Sequence, residues 1–311
     1  MKQDNLIKIA LEILSDKPET HLTNYGKLLD TLLCLFTDRI EKKKTKFDKE
    51  RLYYINLLTQ KFIVHGFSIK KLIDGITLTA PSKNLSIKLL DPFSIHTLVR
   101  TVVENYLVLS YLSNSNLKDD MLQLRFEIWM RYGLLQRDIE PESEEAKRVS
   151  KIDKESIEIL NNSIKKRKGY LELSENKKTS LLKTINKEWK IIFDGKKFYP
   201  VSWKRLMKEA GINDEVNDQI YNYLSWHSHS QSISLLQLKN MWSEEKMSEE
   251  TVILSIKKLN MFVGFIISDI IKTDKEFMSS YDSLNSEQKD LINFYNMSYR
   301  GTDYMIEQLK N

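Results

Sequence analysis

Three observations on the amino-acid sequence predict an all-α protein, a multi-helix bundle. Glycine and proline are scarce, with 9 Gly and 5 Pro in 311 residues, whereas β-rich folds use both in their many turns. Apolar residues recur at helical spacing, as in Leu6, Ile9, Ala10, Ile13 and Leu14. A hydrophobic content of 41%, including five Trp, provides enough apolar surface for a large core.

One stretch departs from helical spacing. Residues 76–90 include the alternating segment Ile76-Thr77-Leu78-Thr79, which is followed by the turn signal Pro81-Ser82. The sequence therefore predicts at most a short β-hairpin near residues 76–90.

Capping residues and helix breakers set the expected helix boundaries. Asp91 is expected to cap a strongly apolar helix that reaches about Leu112, and Asn285 resembles the first residue of a capping box. Gly66 is expected to end a helix. A helix that opens at Ser248-Glu249-Glu250 is expected to run to about Ser280.

The distribution of charge suggests three segments. Residues 147–208 contain 18 Lys and Arg against 7 Asp and Glu, a balance of +11, whereas the net charge of the whole chain is +5. We expect an N-terminal helical part, 1–146, with the central helix 92–112; a basic helical excursion, 147–208; and C-terminal helices, 209–311. The last part is predicted to pack on the same bundle as the first, which makes one continuous domain.

Three further features of the sequence predict the cellular compartment of the protein. The only cysteine, Cys34, excludes a disulfide framework within one chain and suits a reducing compartment. The N-terminus leads into an amphipathic helix, unlike a signal peptide, and the longest apolar runs are far shorter than the ~20 residues of a membrane span. We therefore expect a cytoplasmic protein with no membrane anchor; homo-oligomerisation stays open.

Charged residues interrupt two helices whose other residues are apolar enough to predict burial in the core. His96, Arg100 and Glu104 are spaced by four and share one stripe of a helix. Since a buried charge is costly unless paired, Arg100 and Glu104 form either a structural salt bridge or part of a site. On the next helix Arg125 falls in the apolar register, where it either pairs with Glu104 or extends along Trp129 to solvent.

A second polar cluster lies in residues 221–230. Ser225 and His229 share a helix face, and a hydroxyl beside an imidazole permits general acid–base chemistry. No Gly-x-Ser-x-Gly elbow surrounds Ser225, which speaks against an esterase nucleophile. His227 and His229 are poorly spaced as co-ligands and no third His or Cys is near, so the sequence predicts neither a metal nor a cofactor.

The basic excursion is the candidate phosphate-binding surface. Its densest run is Lys165, Lys166, Arg167 and Lys168, and together with Arg125 these residues are the predicted nucleic-acid or phosphate contacts. The expected partner is RNA or another acidic molecule bound through residues 147–208. The alternative is a solvated, Lys-rich helical hairpin without a partner, because such surfaces are common.

These motifs resemble a bacterial family of all-helical proteins described as a domain of unknown function. The resemblance spans roughly residues 85–245 and rests on three groups of residues: Arg100 to Glu104 with Tyr106-Leu107, Arg125-Phe126 with Tyr132, and Tyr221 to Ser225 with His229-Ser230. That family is in turn similar to the HEPN group, helical bundles of which many are ribonucleases in toxin and phage-defence systems.

The HEPN-like resemblance implies that Arg100, Glu104, Ser225 and His229 are the catalytic positions. HEPN ribonucleases usually carry an Arg a few residues before the His on one helix, and here the nearest Arg before His229 is Arg205. Because of that departure, two alternatives stay open: the chain is a catalytically altered relative of these ribonucleases, or it is a nonenzymatic one.

Two functions follow from the sequence. The first is a nucleic-acid-acting protein, a metal-independent ribonuclease of a bacterial toxin or phage-defence system, in which His229 is the acid or base and Arg100 or Arg125 holds phosphate. The second is a nonenzymatic helical module for protein–protein interaction or regulation. Arg100 and Glu104 are expected near Tyr223–His229, since one shared network satisfies all these polar groups.

Overall fold

The computed structural model describes residues 2–43, 49–137, 143–216, 220, 232, 235–236, 239–240 and 245–300. Apart from two short two-stranded sheets, the regular structure of these residues is helical, which confirms the predicted all-α class. The chain divides into two compact units, which we call unit 1 (residues 1–110 and 207–311) and unit 2 (residues 111–206).

Twelve α-helices with complete bounds lie in the described residues, in addition to the strands of the two sheets. In chain order the elements are α1 (Lys2–Leu14), α2 (Pro18–Lys43), α3 (Glu50–Leu72), β1 (Ile76–Ala80), β2 (Leu85–Leu89), α4 (Pro92–Ser113), α5 (Asp119–Leu135), α6 (Glu144–Ile164), α7 (Lys168–Leu171), α8 (Glu175–Thr184), β3 (Ile191–Asp194), β4 (Lys197–Pro200), α9 (Trp203–Glu209), α10 (Glu245–Ile270), α11 (Lys275–Asp282) and α12 (Ser286–Ser298).

Helix α10 is the core helix of unit 1. It packs against α2 and α12, α11 packs against α2, and α1 packs against α12. Ile256, Leu259 and Phe262 of α10 are completely buried. The stretch Ser248–Ile270 is long and apolar enough to cross a membrane by composition alone, but 78% of its most apolar window is buried within the protein. That burial is typical of the core helix of a soluble protein.

Helix α4 is also a core element, as the sequence predicts. Val99, Val103 and Leu107 are 0%, 2% and 1% exposed. The helix begins as expected, because the Asp91 carboxylate accepts hydrogen bonds from the backbone N–H groups of Phe93 and Ser94, both at 3.1 Å. The boundary between the two units falls within this helix.

The predicted helix end at Gly66 is wrong, because α3 continues through it to Leu72. Gly66 is buried, and a Cβ at this position would lie 2.7 Å from Cδ1 of Leu29 on α2. The Tyr25 hydroxyl donates a 2.8 Å hydrogen bond to the Gly66 carbonyl oxygen. The glycine therefore permits close contact between α2 and α3 and does not end the helix.

The long helix predicted from Ser248 to Ser280 is two helices. Helix α10 ends at Ile270, and α11 begins after Asp274, whose carboxylate accepts a 3.0 Å hydrogen bond from the backbone N–H of Glu276. This aspartate is an N-cap, and an N-cap residue has non-helical backbone angles. By contrast, the predicted capping box at Asn285 is present at the start of α12.

The first sheet is the predicted hairpin. Strands β1 and β2 pair antiparallel, with Leu78 opposite Ile87 and Ala80 opposite Leu85. Because side chains alternate between faces along a strand, these apolar residues share one face of the hairpin.

Unit 2 contains a second hairpin that the sequence analysis missed. Strands β3 and β4 pair antiparallel around the turn at Gly195, which has a φ of 53°. Each strand has only four residues, too few for a periodic pattern to predict. Helices α5 and α6 pack together in this unit, and the predicted basic excursion lies within it as far as Leu206.

Candidate functional site

The charged stripe of α4 forms an ion pair within unit 1. Arg100 Nε donates a 2.9 Å hydrogen bond to Glu104 Oε1, one helical turn away. The two side chains are 19% and 32% exposed. The pair is therefore partly open to solvent, and each charge has an opposite charge within reach.

The third member of the stripe, His96, is completely buried and contacts α10. Its Nδ1 lies 2.9 Å from Oγ of Ser255, which is also completely buried. A hydroxyl and an imidazole in hydrogen-bond contact can exchange a proton. Because both groups lie inside the core, this pair joins α4 to α10 and is closed to a substrate.

One turn further along α10, Lys258 is a buried lysine. The residue is 8% exposed, and burial lowers the pKa of its ammonium from 10.5 to about 8. Neither Ser255 nor Lys258 is among the site residues predicted from the sequence. The signal that could have found them is their spacing of three between apolar residues such as Ile256 and Leu259, which places both on one face of the helix.

A second buried ionic group lies further along α4. Tyr106 donates a 2.8 Å hydrogen bond to Asp269 Oδ2, and Arg300 Nη2 donates to both Asp269 oxygens at 3.0 and 3.1 Å. The Arg300 guanidinium also stacks on Phe265 at 4.3 Å from the ring centroid. Arg300 is 4% exposed, so this group is a structural link between α4, α10 and the residues after α12.

In unit 2, Arg125 is buried against Tyr111. Only 2% of the residue is exposed, its guanidinium lies 4.5 Å from the Tyr111 ring centroid, and Nη1 donates a 3.4 Å hydrogen bond to the Tyr111 carbonyl oxygen. The predicted extension along Trp129 to solvent is therefore wrong, whereas pairing with Glu104 stays a prediction. The burial of Arg125 argues against its predicted phosphate-binding role, which needs an accessible guanidinium.

Arg167 binds carboxylates of α5. Its Nη2 and Nε donate hydrogen bonds to Glu127, and Nη1 lies 3.4 Å from Asp120. The bond to Glu127 is the main cause that raises the pKa of Arg167, and Glu127 is buried. Ser163 completes this network with a 2.8 Å bond to Glu127. Because its donors are directed at two acids, Arg167 links the start of α7 to α5.

The other members of the basic run face solvent. Lys165, Lys166 and Lys168 are exposed. Lys168 Nζ is 3.6 Å from Glu172, whereas within the part of the chain that the structure describes Lys165 and Lys166 have no ion pair. The structure thus separates one structural cation, Arg167, from three accessible ones.

Ser225 and His229 lie outside the described residues, as does the predicted proximity of Arg100 and Glu104 to Tyr223–His229. The catalytic roles of these four residues stay predictions. Among the described residues, no three His, Cys, Asp or Glu side chains are grouped as a metal site requires.

Fold and site together define a helical protein with a charged stripe on a core helix and a basic second unit. The chain belongs to a family of unknown function, DUF5677, whose model matches residues 80–248, more than half of the chain. The match includes α4, all of unit 2 and every site residue that the sequence analysis selected, whereas α1 to α3 precede it. No curated protein and no solved structure matches the chain.

Proposed function

We propose that this protein acts on nucleic acid and binds it through unpaired cations of unit 2. The observation that carries the proposal is an excess of exposed cations without an ion pair within the described residues 147–206. They are Lys151, Lys154, Lys165, Lys166, Lys183, Lys187, Lys196, Lys197 and Arg205. We call this set the basic surface.

Few acids offset the basic surface. In the same described segment the exposed carboxylates without an ion pair are Glu155, Glu158 and Asp194, because the other acids already pair with neighbouring cations such as Arg137, Lys178 and Lys190. A surface with many unpaired cations and few acids attracts polyanions and releases counterions when it binds one. The Arg125 and Arg167 guanidinium groups are not part of this surface, because one is buried and the other binds carboxylates.

The binding test is a salt series. Affinity of the full chain for a fluorescent single-stranded RNA would be measured by anisotropy from about 50 to about 200 mM salt. We expect log Kd to rise linearly with log salt, and Lys165→Gln with Lys166→Gln to flatten the slope by about 0.7 for each phosphate contact removed. The matched control is Lys83→Gln with Lys88→Gln, two exposed lysines of unit 1. Failure of the wild type to bind at the lowest salt would refute the proposal.

The proposed reaction is RNA cleavage without a metal, as the HEPN-like resemblance implies, with His229 as acid or base and Ser225, Arg100 and Glu104 as further catalytic candidates. A bacterial toxin or phage-defence role belongs to the same proposal. Cleavage would be followed on denaturing gels with a chelator present. We expect His229→Ala to abolish it and to leave RNA affinity unchanged, whereas a folded His229→Ala protein that cleaves like the wild type would exclude this residue.

The second candidate function is a nonenzymatic interaction module, and two observations favour it. Arg100 and Glu104 neutralise each other, as expected for a structural pair. On the same unit, Leu78, Leu85 and Ile87 of the first hairpin are 51%, 47% and 46% exposed on one face. Such an apolar face suits a protein partner or a second copy. Sedimentation of the purified chain as a dimer, without RNA binding or cleavage, would favour this function.

A further inference from the structure

The second hairpin carries an exposed tyrosine whose surroundings suit a nucleobase. Tyr199 of β4 is 45% exposed, and within the described residues its side chain makes no hydrogen bond and no ring contact. A tyrosine usually buries its ring or bonds its hydroxyl. The exposed part of the ring and its hydroxyl are therefore open to a ligand. An aromatic ring offers a nucleobase a stacking surface.

Cations lie beside this ring. Across the hairpin, Tyr199 lies opposite Ile192, and Lys197 lies opposite Asp194. Because side chains alternate between the two faces of a strand, Lys197 and Tyr199, two residues apart, lie on the same face. Lys197 and the turn residue Lys196 are exposed. From α8, Lys177 Nζ donates a 3.1 Å hydrogen bond to the Lys196 carbonyl oxygen, which holds a third cation near the turn.

The base of the hairpin is held firmly. The backbone N–H of Val201 donates to the Lys190 carbonyl oxygen at 2.9 Å. The Trp189 and Trp203 rings meet edge to face at 5.8 Å, and Lys190 Nζ lies 5.2 and 5.1 Å from their centroids. An exposed ring on a firmly held hairpin loses little conformational freedom when it binds.

We infer that this end of unit 2 binds single-stranded nucleic acid, with one base stacked on Tyr199 and the neighbouring phosphates on Lys196 and Lys197. The inference rests on the proposed function and names its substrate class. In a duplex the bases are paired and stacked on one another, so their flat faces are closed to a side chain. A single strand exposes both its bases and its phosphates.

The test compares a single-stranded RNA of about 12 nucleotides with a duplex of the same sequence, using full-length protein. We expect Tyr199→Ala to weaken single-strand binding roughly 5- to 100-fold and to leave duplex binding and the salt slope unchanged. Tyr199→Phe keeps the ring and is expected to bind like the wild type. Thermal unfolding of each variant confirms that the exposed substitution leaves the fold intact.

Two outcomes overturn the inference and are distinguishable. Equal binding of both RNAs, unaffected by Tyr199→Ala, would refute the stacking role and leave the proposed function standing. Absence of binding to either RNA at low salt would refute both and favour a protein partner for unit 2.

Discussion

The buried lysine of α10 gives a prediction whose size follows from the structure. Lys258 is 8% exposed, and burial lowers its pKa from 10.5 to about 8. At about 1.4 kcal/mol for each pH unit of difference, keeping this ammonium charged in the core costs about 3 kcal/mol of folding free energy. Lys258→Met removes the charge and keeps an unbranched apolar side chain of similar length.

The pH dependence follows from proton binding in the two states. Between pH 8 and 10.5 the unfolded chain holds the Lys258 proton and the folded chain has released it. The unfolded state then binds more protons, so the contribution of this group to stability rises with pH over that window. Below pH 8 the full penalty applies. Burial raises the pKa of Tyr25 well above its ordinary value, and it raises the pKa of Tyr295 to about 12. Both tyrosines therefore lower stability as pH rises above 10.

The assay is urea unfolding of wild type and Lys258→Met from about pH 7 to about pH 10. We expect the variant to be more stable than the wild type at pH 7, by up to about 3 kcal/mol, and the difference to shrink toward pH 10. The tyrosine contribution is the same in both proteins and cancels in that difference. The control is Lys275→Met, at an exposed lysine of α11, where we expect little change. A difference between wild type and Lys258→Met that stays constant with pH would contradict the reasoning.

Further predictions concern packing and charge in the two units. Gly66→Ala should lower the free energy of unfolding by about 1–3 kcal/mol, because the new methyl group meets Leu29 at 2.7 Å. The control Gly133→Ala, in open space on α5, should raise the free energy of unfolding by roughly 0.5–1 kcal/mol. Equal urea midpoints for the two variants would show that Gly66 is not required for close packing. Asp274→Asn should lower the free energy of unfolding by about 3–5 kcal/mol, because it removes the carboxylate that Nη2 of the completely buried Arg39 contacts at 2.9 Å. Thermal unfolding measures this change. A decrease below about 1 kcal/mol, which a weakened helix cap alone would explain, would show that Arg39 does not need the charge of Asp274.

Much of the fold could be predicted because its signals are local. The caps at Asp91 and Asn285 act within one helical turn, and the burial of α4 follows from apolar residues around most of its circumference. The first hairpin was predicted by its alternating residues and its turn. The hairpin formed by β3 and β4 was missed because four-residue strands are too short to show a period.

The candidate site could be predicted less well, because the partner of a charged side chain can lie far away in the sequence. The helical spacing of Arg125 predicted a position on the buried face of its helix. Only the folded unit shows that its guanidinium packs on the Tyr111 ring. Likewise Arg167 belongs to the most basic run of the chain, and its partner Glu127 lies 40 residues away. Nothing in the spacing of either arginine contains that information.

By itself, then, the sequence determined the helical class, several helix ends, the core position of α4 and the basic character of residues 147–208, because periodicity, capping and net charge are properties of neighbouring residues. Tertiary structure decided which charges are neutralised and which stay accessible: it buried Lys258, directed Arg167 at carboxylates, and left Lys165 and Tyr199 at the surface. It also decided that Gly66 continues a helix, because a glycine ends a helix or permits close packing according to what lies opposite it.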